Sequence, residues 1–220
     1  MDQSMFQDII QNLLERIDLV YISVLIISLM FHEIAHGFSA YKLGDVTAKN
    51  DGRLSLNPLR HIDPLGFLLM IVYHFGWAKP VMINPYNLKN PKRDMAIISL
   101  AGPMTNFILS ILFFIPLVAL RDLPEYLAMF AQEGFFLNIS LAVFNMLPLP
   151  PLDGSKVFGS FLPDQIYYKF VHSNPRIGMG IILLLSFTGV LSRIIQPILY
   201  GVLNFYYFIA TFIAGLFGIL

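Results

Sequence analysis

Long apolar runs separated by short polar segments dominate the chain. Five of them, 19–43, 95–120, 127–147, 177–194 and 197–220, come near the roughly twenty residues that a helix needs to cross a bilayer. A sixth run, 64–77, contains His74 and is too short to span, so it is expected as a re-entrant or interfacial segment. Ahead of the first run, Phe6, Ile9, Ile10, Leu13, Leu14 and Ile17 recur at helical spacing. They predict either an amphipathic helix lying at the membrane interface or a partly helical lead-in. Asp2, Asp8, Glu15 and Asp18 outweigh Arg16 there, unlike the basic start of a secretory signal. Between the runs, residues 46–56 read as a β-hairpin around Asn50-Asp51-Gly52, and 76–85 as extended and turn-rich. The pattern predicts an all-α polytopic membrane protein with a short membrane-associated β-hairpin and a re-entrant segment.

Composition agrees. The chain of 220 residues is 56% hydrophobic and 13% charged, with mean hydropathy +0.68; a soluble domain carries about 25% charged residues. Lys plus Arg and Asp plus Glu are 14 each, which gives no basic surface for nucleic acid. With no Cys, disulfides and thiolate ligands are excluded, and His and carboxylates remain as metal donors. Of the 14 Lys and Arg, only Arg16, Arg121 and Arg193 fall outside the loops that follow the first and third runs. Those two loops are therefore expected in the cytoplasm, with the N-terminus outside and the C-terminus inside. A full crossing by 64–77 would reverse this parity.

The chemistry sits in the first run. His32 and His36 are four residues apart and so project from one helix face, close enough to share a metal ion. Glu33 lies about 100° around the helix from His32, beside the metal, where it can take a proton from water. Three ionisable groups inside an apolar span are costly, so a functional site is the expected reason for them. A third ligand should enter from the same side at a similar depth. Asp153 does so: Pro148, Pro150 and Pro151 break the chain where the third run ends, which frees the backbone to aim a carboxylate inward. Two His and one Asp leave a fourth zinc position open, the arrangement of a catalytic site.

Phe31-His-Glu-Ile-Ala-His-Gly37, Ala101-Gly-Pro-Met-Thr-Asn106 and Asn145 through Gly154 together resemble the site-2 protease family of intramembrane zinc metalloproteases. The resemblance implies one Zn2+ per chain held by His32, His36 and Asp153, with Glu33 as catalytic base. It implies a three-helix catalytic core within 19–158, preceded by the lead-in at 1–18 and followed by two peripheral transmembrane helices in 159–220. The implied activity is endoproteolysis within or near transmembrane segments of other proteins, as in regulated intramembrane proteolysis. The membrane is expected to be the plasma membrane, with the active site toward the cytoplasm. Relatives with an extramembrane peptide-binding domain or a C-terminal nucleotide-sensing domain are better equipped, and this chain reads as a minimal, core-only member.

Asn106 and Asn145 are polar positions in or at the ends of apolar runs, and the matching asparagines of the family lie near the active site. Each either contacts substrate or the developing oxyanion, or makes an interhelical hydrogen bond. The segment with Trp77, Lys79, Pro80 and Val81 either pairs with an unwound substrate by strand addition, or caps the site with Trp77 as an interfacial anchor. His61 either supports the site or caps a loop, His74 reaches the interface, and His172 sits in a polar loop. Glu133 and Asn138 are expected to pack within the third run or line a water path. Partners are transmembrane protein substrates and the lipid bilayer. A catalytically silent helix-binding scaffold and a divalent metal transporter are the alternative readings.

Overall fold

Asp18 starts the first helix, α1 (Leu19–Lys42), its Oδ1 accepting from the backbone N–H groups of Val20 and Tyr21 at 2.9 and 3.0 Å. This computed structural model describes residues 18–73, 78–120, 122–171 and 174–216. The lead-in ahead of Asp18, His74, Trp77 and His172 lie outside the described residues. The 24 residues of α1 extend about 36 Å, enough to cross a bilayer.

The expected β-hairpin at 46–56 is replaced by a helical turn, α2 (Thr47–Asn50). Asp45 is the physical reason. Its side chain accepts from Thr47 N at 3.0 Å, Thr47 Oγ1 at 2.5 Å, Asn87 Nδ2 at 2.8 Å and Asn84 N at 2.7 Å. The first two bonds wind the chain into a turn, and the other two tie that turn to residues forty positions away. Asn50-Asp51-Gly52 then closes a helix rather than a hairpin, with Arg53 N returning to Ala48 O at 2.9 Å. Among the described residues strand pairing is limited to one bridge, Ile62 with Ala78.

A 3₁₀ turn (Pro58–Arg60) leads to α3 (Pro64–Tyr73), ten residues long and too short to cross. The extended segment 78–84 and a second 3₁₀ turn (Pro85–Asn87) follow. Next come α4 (Pro91–Ala119) and α5 (Glu125–Asn145), then α6 (Asp153–Gly159), α7 (Asp164–Val171), α8 (Pro175–Phe187) and α9 (Val190–Leu216). Four of these helices are long and apolar enough to cross a membrane: α1, α4, α5, and α9 over Val190–Phe212. The helices α1, α4 and α5 pack against one another, while α8 and α9 pack on the outside.

The break in the last apolar stretch falls at Gly189, not before Pro197 as the runs suggest. Gly189 turns at φ +70°, in the left-handed region that side-chain-bearing residues avoid. Pro197 instead stays inside α9, where loss of one backbone bond is tolerable. α8 therefore has 13 residues and is about 20 Å long, shorter than the crossing expected at 177–194 requires. Leu191 packs with Leu147 and Leu152 beside the end of α5, and Tyr206 packs with Phe135 and Ile139 further up it. α9 thus runs antiparallel to α5 and leads away from the end where Asp153 lies, opposite to the direction expected from five crossings.

Polarity is arranged inside out. Ile97, Leu100, Met104, Ile108, Ile111 and Ile115 of α4 face outward, a stripe suited to lipid rather than water. Ser28, Asn106, Ser110 and Asn138 are fully buried between the helices, where small and polar residues join helices in a bilayer.

Asp45 lies outside the long helices. Burial pushes its carboxyl up, but its four hydrogen bonds outweigh that and hold it below the ordinary carboxylate value. The stabilisation is therefore complete above the ordinary carboxylate pKa and is lost as pH falls through the lower, folded value. Asp45→Ala should cost about 1–3 kcal/mol at neutral pH. Melting in detergent should show a lower Tm for the variant at pH 7 and a shrinking gap in acid; equal melting at pH 7 would contradict this role.

Candidate metal centre

His32 and His36 lie one turn apart on α1 with their Nε2 atoms 3.0 Å from each other, and each Nε2 is 3.2 Å from Asp153 Oδ2. All three side chains are buried. The ring protons can be placed from their partners. His36 Nδ1 is 2.7 Å from the Ile98 carbonyl, which only accepts, so Nδ1 carries the proton. His32 Nδ1 is 2.6 Å from Asn106 Oδ1. Asn106 Nδ2 donates to Asn138 Oδ1 at 2.9 Å, and Asn138 Nδ2 donates to the Gly134 carbonyl and to Ser28 Oγ, both at 2.8 Å. Ser28 Oγ in turn donates to the Val24 carbonyl at 2.8 Å. Because this chain ends on backbone carbonyls, each amide has one workable orientation, and His32 also carries its proton on Nδ1.

In the neutral rings each Nε2 then carries a lone pair, and both face the Asp153 carboxylate. Three acceptors converging in a buried place need a cation. Bonds of about 2.0–2.1 Å in a tetrahedral zinc site set ligand atoms about 3.3–3.4 Å apart, close to the 3.0, 3.2 and 3.2 Å found here. Gly102 of α4 keeps the space beside them clear: a Cβ there would meet His36 Nε2 and lie 2.6 Å from His32 Nε2. The donor set thus fits a divalent ion such as zinc.

Asp153 reaches this position because α5 stops at Asn145 and the chain turns through Pro148, Pro150 and Pro151 before α6 begins. Gly154 lies against the Met146 carbonyl, where no Cβ would fit. The other Asp153 oxygen, Oδ1, is 3.9 Å from Lys156 Nζ.

Glu33, half-buried beside the pair, accepts a hydrogen bond at 2.8 Å from the Val81 N–H. That backbone is held by Arg53, whose buried guanidinium donates to the carbonyls of Arg60, Lys79 and Pro80, the last at 2.7 Å. A cavity of about 200 Å³ runs along His32, His36 and Asp153 and is lined also by Glu33, Pro80, Val81, Ser99 and Asn145.

Of the residues singled out in the sequence, His32, Glu33, His36, Asp153, Asn145, Pro80 and Val81 share this cavity. Asn145 donates one amide N–H to Leu141 O at 3.0 Å. Asn106 does not line the cavity; it lies behind His32, fully buried, with its oxygen on the imidazole. The Lys79 side chain is exposed, and only its carbonyl is engaged near the site. His61 is buried elsewhere, its Nε2 donating to the Ser55 carbonyl at 2.8 Å. Asn138, Ser28, Arg53 and Ser99 were not assigned to the site from sequence. A polar residue within an apolar span marks Asn138, whereas nothing local marks Ser99.

A bundle that is apolar outside, polar within and closed around a cation site of this kind belongs to the membrane metalloproteins. A family model described as Peptidase family M50 matches residues 121–186. The chain is 40% identical over 183 residues to "Putative zinc metalloprotease YwhC" of Bacillus subtilis, covering 80% of this chain and 83% of that protein. It is 30% identical over 198 residues to "Putative zinc metalloprotease Rip2" of Mycolicibacterium smegmatis, covering 82% and 71%. It is also 34% identical over 133 residues to "Putative zinc metalloprotease MJ0611" of Methanocaldococcus jannaschii, covering 58% and 63%. No solved structure matches the chain. The chain belongs to peptidase family M50, the site-2 protease family.

Gly102→Ala places a methyl group against both Nε2 atoms. The purified variant should retain its helical circular dichroism but lose stoichiometric zinc. Full zinc content in Gly102→Ala would show that the ion does not occupy this space.

Proposed function

We propose that the protein is an intramembrane zinc endopeptidase that hydrolyses peptide bonds in or near transmembrane segments of other membrane proteins. The observation that carries this reading is the convergence of three buried acceptors, His32, His36 and Asp153, with the Glu33 carboxylate beside them. One zinc per chain would be held by those three side chains. Bound zinc supplies Lewis acidity, lowering the pKa of water toward neutrality and polarising a carbonyl.

The chain supplies the rest. Glu33 takes the proton from the attacking water and returns it to the leaving amine nitrogen. The Val81 N–H orients that carboxylate in the resting state. Pro80 and Val81, held in an extended segment by Arg53, form the wall along which an unwound substrate lies, with strand pairing as the mode of binding. Lys79 and Trp77 flank that wall in sequence. Asn145 retains a second amide N–H for substrate backbone. Asn106 serves the site through His32 rather than through substrate.

With four crossings, Arg193 near the start of α9 joins the basic loops on the side of the metal centre. Twelve of the fourteen Lys and Arg then belong to the segments on that side, which supports a cytoplasmic site. In a cell bounded by a single membrane that bilayer is the plasma membrane. Access for water is then short, from the cytoplasm into the cavity at Glu33.

Purified wild type should contain one zinc and cleave a model transmembrane substrate in detergent. Glu33→Gln should keep the zinc and lose at least 100-fold in rate, while Asp153→Ala should bind zinc more weakly. Zinc without cleavage across a panel of substrates would favour a helix-binding scaffold instead, and absence of bound metal would refute the zinc-protease reading.

Substrate docking at the extended segment makes a separate demand. Replacing Val81 by Arg should raise KM for the transmembrane substrate several-fold and leave the zinc content at one. Unaltered cleavage kinetics in Val81→Arg would remove this segment from substrate binding.

A further inference from the structure

Ser28, Ser110 and Ser155 are buried helix serines whose hydroxyls donate to a carbonyl three or four residues earlier, at 2.8, 2.7 and 2.7 Å. Ser99 of α4 is as deeply buried, at 1% exposure, but its hydroxyl has no partner. The same back-bonding carbonyls lie within a turn of it, so the missing bond is not forced by a lack of acceptors. An unmade hydrogen bond at a buried hydroxyl costs about 1–3 kcal/mol and calls for a physical reason; among the described residues His61 Nδ1 is also buried without a partner, but only Ser99 lines the cavity at His32, His36 and Asp153.

The place of Ser99 supplies that reason. It lines the cavity shared by His32, Glu33, His36, Asn145 and Asp153. It follows Ile98, whose carbonyl fixes the His36 ring. The cavity is rich in acceptors: both Nε2 atoms present lone pairs, and Asp153 and Glu33 are carboxylates. Donors are few. Asn145 has one N–H engaged with Leu141 O, and Lys156 lies 3.9 Å from Asp153 Oδ1. Hydrolysis of a peptide places growing negative charge on the carbonyl oxygen as water adds to its carbon, and that oxygen calls for a donor already in place.

We propose that Ser99 is a further catalytic residue, its hydroxyl donating a hydrogen bond to the carbonyl oxygen of the scissile peptide as charge develops there. The assignment rests on the reading of the site as a peptide-bond hydrolase. The hydroxyl keeps its proton throughout. It forms no covalent bond and does not replace Glu33 as base.

The test compares wild type, Ser99→Ala and Ser99→Thr as full chains in detergent. Removing a donor of this kind costs roughly 10- to 100-fold in kcat, at or below the range for an oxyanion-hole donor. Ser99→Ala should show that loss with one zinc per chain, unchanged melting and KM within about twofold, because the contact strengthens only in the transition state. Ser99→Thr, which keeps a hydroxyl, should recover most of the rate. A phosphinic analogue of the substrate peptide carries a tetrahedral oxyanion and needs no turnover. It should bind Ser99→Ala at least about 10-fold more weakly than wild type, whereas uncleaved substrate should bind Glu33→Gln with and without Ser99→Ala equally well.

Equal kcat and equal phosphinate affinity in Ser99→Ala would overturn the assignment. So would a fall in activity matched by lost zinc or lowered melting, which would make the serine structural. A wild type that neither cleaves nor binds the phosphinate would instead remove the hydrolase reading, and the role of Ser99 with it.

Discussion

Two imidazole lone pairs and a carboxylate oxygen, set within 3.2 Å of one another in a buried place, form an arrangement that cannot stand without positive charge. Much of the surrounding structure is organised to bring those atoms together and to aim them. The Ile98 carbonyl and the Asn106 amide turn each ring so that Nε2 faces inward. A glycine at position 102 stands aside, and three prolines free the backbone that carries Asp153 back toward α1. Gly102 and the proline turn bring a bare helical bundle little by themselves, and a bound ion would account for their coincidence.

The bilayer makes the arrangement workable. In water, the outward stripe of α4 would be an aggregation surface and the buried Asn106–Asn138 pair an expensive core. In lipid the outside is already apolar, so helix association gains little from burying more hydrocarbon and relies on packing and on polar contacts. The amide and hydroxyl chain from His32 through Asn138 to Ser28 therefore joins α1, α4 and α5 while it sets the tautomer of a ligand.

The grouping of His32, His36 and Asp153 with Glu33 beside them was legible in the sequence because the information is local: a four-residue spacing on one helix, and an aspartate after a run of prolines. The long helices were legible as apolar runs for the same reason. What escaped was long-range. The segment 46–56 has the turn residues of a hairpin, but Asp45 engages Asn84 and Asn87, a pairing that no window of sequence shows. Gly189 and Pro197 are both plausible breaks, and only packing of Leu191 beside Leu147 selects the first. For Asn106 the sequence left two readings, contact with substrate or an interhelical hydrogen bond, and the structure shows hydrogen bonds to Asn138 and His32. Its place behind His32 depends on the crossing of α4 and α1, which the residue itself does not encode.

The chain of amides has one more consequence. His32 presents its lone pair only while Asn106 and Asn138 are held in register, and Asn138 is anchored to the Gly134 carbonyl in the middle of α5. An ion held by His32, His36 and Asp153 would bind the assembled bundle and not its separated helices, so its binding and helix assembly would be one linked equilibrium. Each tenfold rise in free zinc above the dissociation constant would add about 1.4 kcal/mol to the assembled state. Availability of the ion would then bear on how firmly the bundle holds together as well as on its chemistry.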